Sequence, residues 1–189
     1  MKSVKLVLGG ARSGKSTFAL EFARRNATRV LFVATATAGD EDMRLRIAKH
    51  RRERPPSWRT LEAGDQLGKR IAVESGDAEL VIIDCITLLV NNIFGRYPDE
   101  LFETLDDAVL EKDVQSEIAE LEICLKSCPA SFIIISNEVG LGIVPETRMG
   151  RLYRDVLGRA NQRLAAASDE VYLLVAGIPM ALKGRLKGL

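Results

Sequence analysis

Short runs of consecutive apolar, largely β-branched residues alternate along the chain with longer stretches in which apolar positions recur at helical spacing. The runs are Val4–Leu8, Val30–Ala34, Leu80–Ile83, Phe132–Ser136 and Val171–Ala176. Near-continuous hydrophobicity over so few residues is what a strand covered on both faces requires. Between the runs the spacing predicts helices over about 16–25, 40–52, 65–75, 100–127 and 147–167. Strands and helices in alternation define an α/β fold, a mostly parallel central sheet with helices on both faces and right-handed crossovers. Arg54-Pro55-Pro56-Ser57-Trp58 must end the second helix, because each proline forbids its continuation. Gly95-Arg96-Tyr97-Pro98-Asp99 predicts a turn into an acidic helix, and Gly140 to Pro145 a loop after the fourth strand.

Ligands of such sheets bind beyond the carboxyl ends of the strands. The residues that follow each run are therefore the informative ones. After the first strand comes Gly9-Gly10-Ala11-Arg12-Ser13-Gly14-Lys15-Ser16, a complete G-x-x-x-x-G-K-S pattern, and the next residues turn helical with Phe18, Ala19, Phe22 and Ala23 on the apolar side. Glycines let backbone N–H groups turn inward on phosphate oxygens, the lysine reaches the β- and γ-phosphates, and the serine hydroxyl suits Mg²⁺. Strand, loop and helix in that order make this a nucleoside-triphosphate site. The run Leu80 to Ile83 ends in Asp84, the form of an acidic strand end that holds Mg²⁺ or its water shell opposite Ser16.

Three other features bear chemistry. His50, the one histidine of the chain, sits among Arg44, Arg46, Lys49, Arg51, Arg52 and Arg54. It is either a surface residue of a solvated basic helix or a nucleophile whose imidazole the neighbouring cations keep neutral. Periodicity does not choose between the two. Glu138, in Asn137-Glu138-Val139-Gly140, stands as a substrate ligand, a general base or a loop cap. Arg148, Arg151, Arg154, Arg159 and Arg163 recur at three to five along the last helix, facing phosphates, an acidic partner subunit or solvent.

Composition narrows the picture without changing it. At 189 residues, 47% hydrophobic and 28% charged, one catalytic domain over 1–189 is the expectation. No apolar run approaches the length that spans a bilayer, and with the first strand beginning almost at once no signal peptide and a cytoplasmic location are expected. Cys85, Cys124 and Cys128 lack metal-ligand spacing and read as core or helix-face thiols. Charge is uneven: residues 1–60 hold 14 Lys/Arg against 5 Asp/Glu, whereas 61–128 hold 5 against 16. A basic first third beside a phosphate loop fits a small polyanion. Nucleic acid is disfavoured by a pI near 7.7 and by the lack of interleaved aromatic and basic residues. The absence of an N-K-x-D guanine-reading motif disfavours a GTPase switch.

Beyond these motifs the chain resembles the bifunctional adenosylcobinamide kinase/adenosylcobinamide-phosphate guanylyltransferase family. The resemblance runs through the phosphate loop, Ala34-Thr35-Ala36, Asp42-Met43 to Arg46-Ile47 with His50, and Pro56-Ser57-Trp58-Arg59-Thr60. It continues through Asp84-Cys85-Ile86-Thr87, Ser136 to Pro145, and Arg154-Asp155 to Ala166. It implies a RecA-like P-loop fold and a homotrimer. It also implies two reactions: phosphorylation of adenosylcobinamide by ATP or GTP, then transfer of GMP from GTP through a guanylylated histidine. That histidine falls on His50. The implied nucleotide contacts are Gly9, Gly10, Ala11, Arg12, Ser13, Gly14, Lys15, Ser16, Ala34, Thr35, Ala36, Arg51, Arg52, Glu53, Arg54, Glu62 and Asp84, with Ser16 and Asp84 serving Mg²⁺. Some relatives carry two adjacent histidines where this chain has Lys49-His50, and glutamate in place of Asp84. The rival reading is a P-loop small-molecule kinase without a covalent nucleotide.

Overall fold

The computed structural model describes residues 2–36, 51, 54–98, 100 and 104–184. Within them the strands are β1 (Val4–Gly9), β2 (Val30–Ala34), β3 (Arg59–Glu62), β4 (Leu80–Asp84), β5 (Ser131–Ile135), β6 (Glu170–Val175) and β7 (Ile178–Lys183). The helices are α1 (Lys15–Asn26), α2 (Leu67–Glu74), α3 (Ile86–Phe94), α4 (Asp107–Ser127) and α5 (Arg148–Ala167). They build one seven-stranded sheet in the order β3-β2-β4-β5-β1-β6-β7. Six strands run parallel, and β7 alone is antiparallel, paired with β6.

The five apolar runs became the five central strands, for the reason their composition suggests. Leu6, Leu31, Val81, Phe132 and Ile134 point into a core shared with α2, α3, α4 and α5. Val7, Phe32, Ile82, Ile133 and Tyr172 point to the opposite face, under α1 and Trp58. With both faces covered, alternation disappears from the sequence. Cys124 and Cys128 are buried and unbridged, as expected of core thiols.

Three elements are not among those the pattern predicts. β3 (Arg-Thr-Leu-Glu) is an edge strand with only Leu61 half-buried, so it carries no apolar run. β7 is the other edge. It has exposed side chains at five of six positions, and Pro179 fits there because an edge strand can spare a donor. α3 does carry a helical stripe, Ile86, Leu89, Val90, Ile93 and Phe94, but it is only nine residues long and follows directly on the apolar run of β4. The acidic helix also starts later than its charge run. Asp106 sets the start of α4 by accepting from the Ala108 backbone N–H, a standard N-cap.

Candidate active site

β1 ends at Gly9, and the chain turns through residues 10–14 before α1 begins at Lys15. Gly14 caps that helix with φ 97°, and Arg12 also has positive φ, so successive backbone N–H groups line a concave turn. A side chain at Gly9 would put its Cβ 2.6 Å from both the Leu174 carbonyl and Ser13 Oγ. The glycine here is a matter of space as much as dihedral freedom. The tip of the β6–β7 hairpin supports the loop from behind: the Gly177 N–H donates to the Ser13 carbonyl at 2.9 Å. A Cβ on Gly14 would come within 3.1 Å of Gly177 Cα.

Lys15 is buried at the base of the turn. Its ammonium donates to the Gly9 and Gly10 carbonyls at 2.9 and 2.6 Å and lies 3.4 Å from Ser13 Oγ. Burial pulls its pKa below the ordinary lysine value, while Cys85 and Asp84 oppose that shift. The Ser16 hydroxyl donates to Asp84 Oδ2 at 3.0 Å. Residues 11–17, Asp84, Cys85, Ile135 and Asn137 together surround a cleft of about 460 Å³. Burial, reinforced by Asp84, pushes the Cys85 thiol up to about 11, so it stays protonated at neutral pH.

Asp84 comes from a strand that is not adjacent to β1, since β5 lies between them. Register then aligns the strand ends. Ile135 on β5 partners Asp84 on β4, Asp84 partners Ala34 on β2, and Ala34 partners Glu62 on β3. Glu62 is exposed at the far end of this row. At about 4.8 Å per strand, the row from β1 to β3 measures roughly 19 Å.

The remaining expected contacts divide into distinct settings. Ala34 is buried, Ala36 half-buried, and Thr35 fully buried with its hydroxyl on the backbone of Cys85. Arg51 is exposed, and the Arg54 guanidinium stacks 3.6 Å from the centre of the Phe32 ring, beside α1. His50, Arg52 and Glu53 lie outside the described residues. Glu138 caps its own loop, accepting from the Gly140 N–H at 2.6 Å, while its backbone N–H donates to Gly9.

The arginines of α5 meet the chain's own acidic helix. Arg148 pairs with Asp107, Arg159 with Glu111 at 3.2 Å, and Arg163 with Glu122 at 2.5 Å. Arg151 instead donates to the Pro145 and Glu146 carbonyls, and Arg154 pairs with its neighbour Asp155. Sequence reasoning missed the bracing residues Thr87, Asn92, Tyr153 and Asn161. The Thr87 hydroxyl accepts from the Asn137 N–H, Tyr153 donates to the Thr87 carbonyl, and Asn161 donates to the Asn137 carbonyl. Each bond is long-range in sequence, and no local pattern announces it.

A mostly parallel sheet, a glycine turn capping the first helix, and an acidic strand end in contact with that helix's first serine define the P-loop nucleotide-binding class. Comparison with known proteins narrows this. Residues 5–182 match the model of the family described as cobinamide kinase / cobinamide phosphate guanyltransferase. The chain is 42% identical over 183 residues to the bifunctional adenosylcobalamin biosynthesis protein CobU of Escherichia coli K12, covering 94% of this chain and 98% of that one. The Salmonella typhimurium protein of the same name is also 42% identical, with the same coverage. Pseudomonas aeruginosa CobP, named in the same terms, is 38% identical over 95% of this chain and 96% of its own. This chain belongs to the cobinamide kinase / cobinamide phosphate guanyltransferase family.

Proposed function

We propose that one nucleotide cleft serves two successive transfers. In the first, the aminopropanol hydroxyl of adenosylcobinamide takes the γ-phosphoryl group of ATP or GTP. In the second, the His50 imidazole attacks the α-phosphorus of GTP, pyrophosphate leaves, and the phosphoramidate passes GMP to adenosylcobinamide phosphate. The product is adenosylcobinamide-GDP. Both steps develop charge on phosphate oxygens, which the backbone N–H groups of residues 10–16 stabilise together with the Lys15 ammonium once it turns from the Gly9 and Gly10 carbonyls.

The observation that carries this reading is the contact between Ser16 Oγ and Asp84 Oδ2 at the cleft. Two hard oxygen ligands, one from each side of a phosphate loop, suit Mg²⁺ completed by water and phosphate. Ser16 and Asp84 would hold the ion, which when bound neutralises charge on the β- and γ-phosphates. The aligned row of strand ends supports a nucleoside laid from the loop past Ala34 toward Glu62, with Arg54, which stacks on Phe32, beside it. Attack at the α-phosphorus needs a nucleophile reaching deeper than a γ-phosphate acceptor does. The chain exits β2 through Thr35 and Ala36 at this same end of the sheet, and the basic segment with His50 follows them in sequence. The homotrimer implied by the resemblance is part of the proposal. The exposed apolar side chains of Leu141, Ile143 and Val144, and of Ile178, Met180 and Leu182 on β7, are consistent with it.

Incubation with Mg²⁺ and GTP labelled at the α-phosphate tests the covalent step. The expected result is label that survives denaturation, is released by acid and is absent from His50→Ala. Label of equal strength on His50→Ala would reject His50 as the nucleophile. A complete lack of label in protein that still phosphorylates cobinamide would leave the plain kinase.

A further inference from the structure

We propose that Thr35, which the resemblance places among the nucleotide contacts, acts instead as a positioning residue for Asp84. β2 and β4 are hydrogen-bonded in register up to the pair Ala34 and Asp84, and the Thr35 N–H donates to the Asp84 carbonyl at 3.1 Å. One residue further the strands part, because the chain after β4 turns into α3. At that point the Thr35 hydroxyl takes over from the ladder. It donates to the Cys85 carbonyl and accepts from the Cys85 N–H, both at 2.7 Å. A hydroxyl offers one donor and two acceptor lone pairs, and here it serves both backbone groups of the residue that follows the carboxylate.

Thr35 is itself fixed. It is 0% exposed, so its side chain has no path to a ligand in the cleft. Its carbonyl accepts from Asn92 Nδ2 at 2.8 Å, and the same amide donates to the Gly64 carbonyl at 3.1 Å. The exits of β2, β3 and β4 are thus tied together behind Asp84, whose side chain is aimed at Ser16. Residues that orient a metal's ligands are commonly worth about ten- to a hundredfold in metal affinity or activity. Thr35 holds the Asp84 carboxylate in register with Ser16, and its hydroxyl does not touch nucleotide.

This inference rests on the reading of Asp84 as a Mg²⁺ ligand, so the test separates the two. The affinity of a GTP analogue with an α,β-methylene bridge, which resists α-phosphate attack, is measured by calorimetry with Mg²⁺ and with EDTA. The ratio of the two affinities is the readout. Asp84→Asn is expected to lose most of the ratio. Thr35→Val, isosteric but without the hydroxyl, should lower it about tenfold with binding in EDTA unchanged, and Thr35→Ser should keep it. A full ratio in Thr35→Val beside a lost one in Asp84→Asn overturns the role of Thr35 and leaves Asp84 standing. Equal weakening with and without Mg²⁺ overturns it in favour of a nucleotide contact. A full ratio in Asp84→Asn removes the metal reading and Thr35's role together. Should Thr35→Val fail to fold, Asn92→Ala carries the test: a reduced ratio with unchanged binding in EDTA supports the brace, and an unchanged ratio overturns it.

Discussion

Lys15 is held by three oxygens of its own loop, two of them backbone carbonyls. Its charge is therefore placed by the turn and not by a distant acid. Removing one well-placed donor that stabilises developing negative charge typically costs about a hundred- to a thousandfold in rate. Lys15→Ala is expected to lose that much in both transfers, measured as initial rates of cobinamide phosphorylation and of GMP transfer. A loss confined to one transfer would show that the two do not share the loop. This residue was legible in the sequence because the oxygens that hold its ammonium belong to the same eight-residue loop. Asp84 was legible for a related reason, standing at the end of an apolar run. The work of Thr35 was not, since its partner is 50 residues away and the contact depends on where two strands diverge.

At the scale of elements, the uneven charge of the chain resolves into pairing between neighbours. The acidic α4 lies against α5, which carries the arginines, and Lys69 of α2 reaches Glu120 from the other side. Part of the acid excess of residues 61–128 is thus met by countercharge within the fold. Arg163 is the best placed of the arginines. Its guanidinium forks onto Glu122 through Nε and Nη2 and donates twice to Gln115 through Nη1. Charge-assisted, forked bonds at a half-buried position are worth more than an exposed pair. Arg163→Met is expected to lower unfolding free energy by about 1–3 kcal/mol in urea titrations, and Arg151→Met, an exposed position, by less than about 0.5 kcal/mol. Equal effects would mean that the fork adds nothing. The central strands were readable because they are buried on both faces. β3 and β7 were not, being polar or exposed edges, and α3 was not because its short apolar stripe runs on from the apolar residues of β4.

Over the whole molecule, the groups that titrate differently in the folded chain set a pH window for stability. Desolvation alone would raise the pKa of Glu170, but the hydrogen bonds from Lys5 and Tyr172 and the charge of Lys5 bring it below 4.5. The Lys5 contact is 2.5 Å long and links β1 to β6, the strand behind the phosphate loop. A carboxyl depressed on folding contributes stability above its unfolded value, and that contribution is lost as pH falls through the folded value. At the alkaline end burial acts in the other direction. It raises Cys85 and Cys124 from 9.0 to about 11 and lifts Tyr153 and Tyr172 well above 10. An acid raised on folding stabilises below its unfolded pKa, so these contributions decline as pH climbs from 9. Lys15, lowered by burial, works the opposite way, gaining as pH rises toward 10.5, but among the described residues the groups raised on folding outnumber it. Unfolding free energy from urea titrations should therefore stay level between about pH 5 and 8.5 and fall on both sides, with a slope of about 1.4 kcal/mol per pH unit for each proton released. Glu170→Gln should flatten the acid limb, and Cys124→Ala should reduce the alkaline slope between pH 9 and 11 despite its own cost at neutral pH. An alkaline slope unchanged by Cys124→Ala would mean that the Cys124 thiol titrates no differently in the folded chain than in the unfolded one.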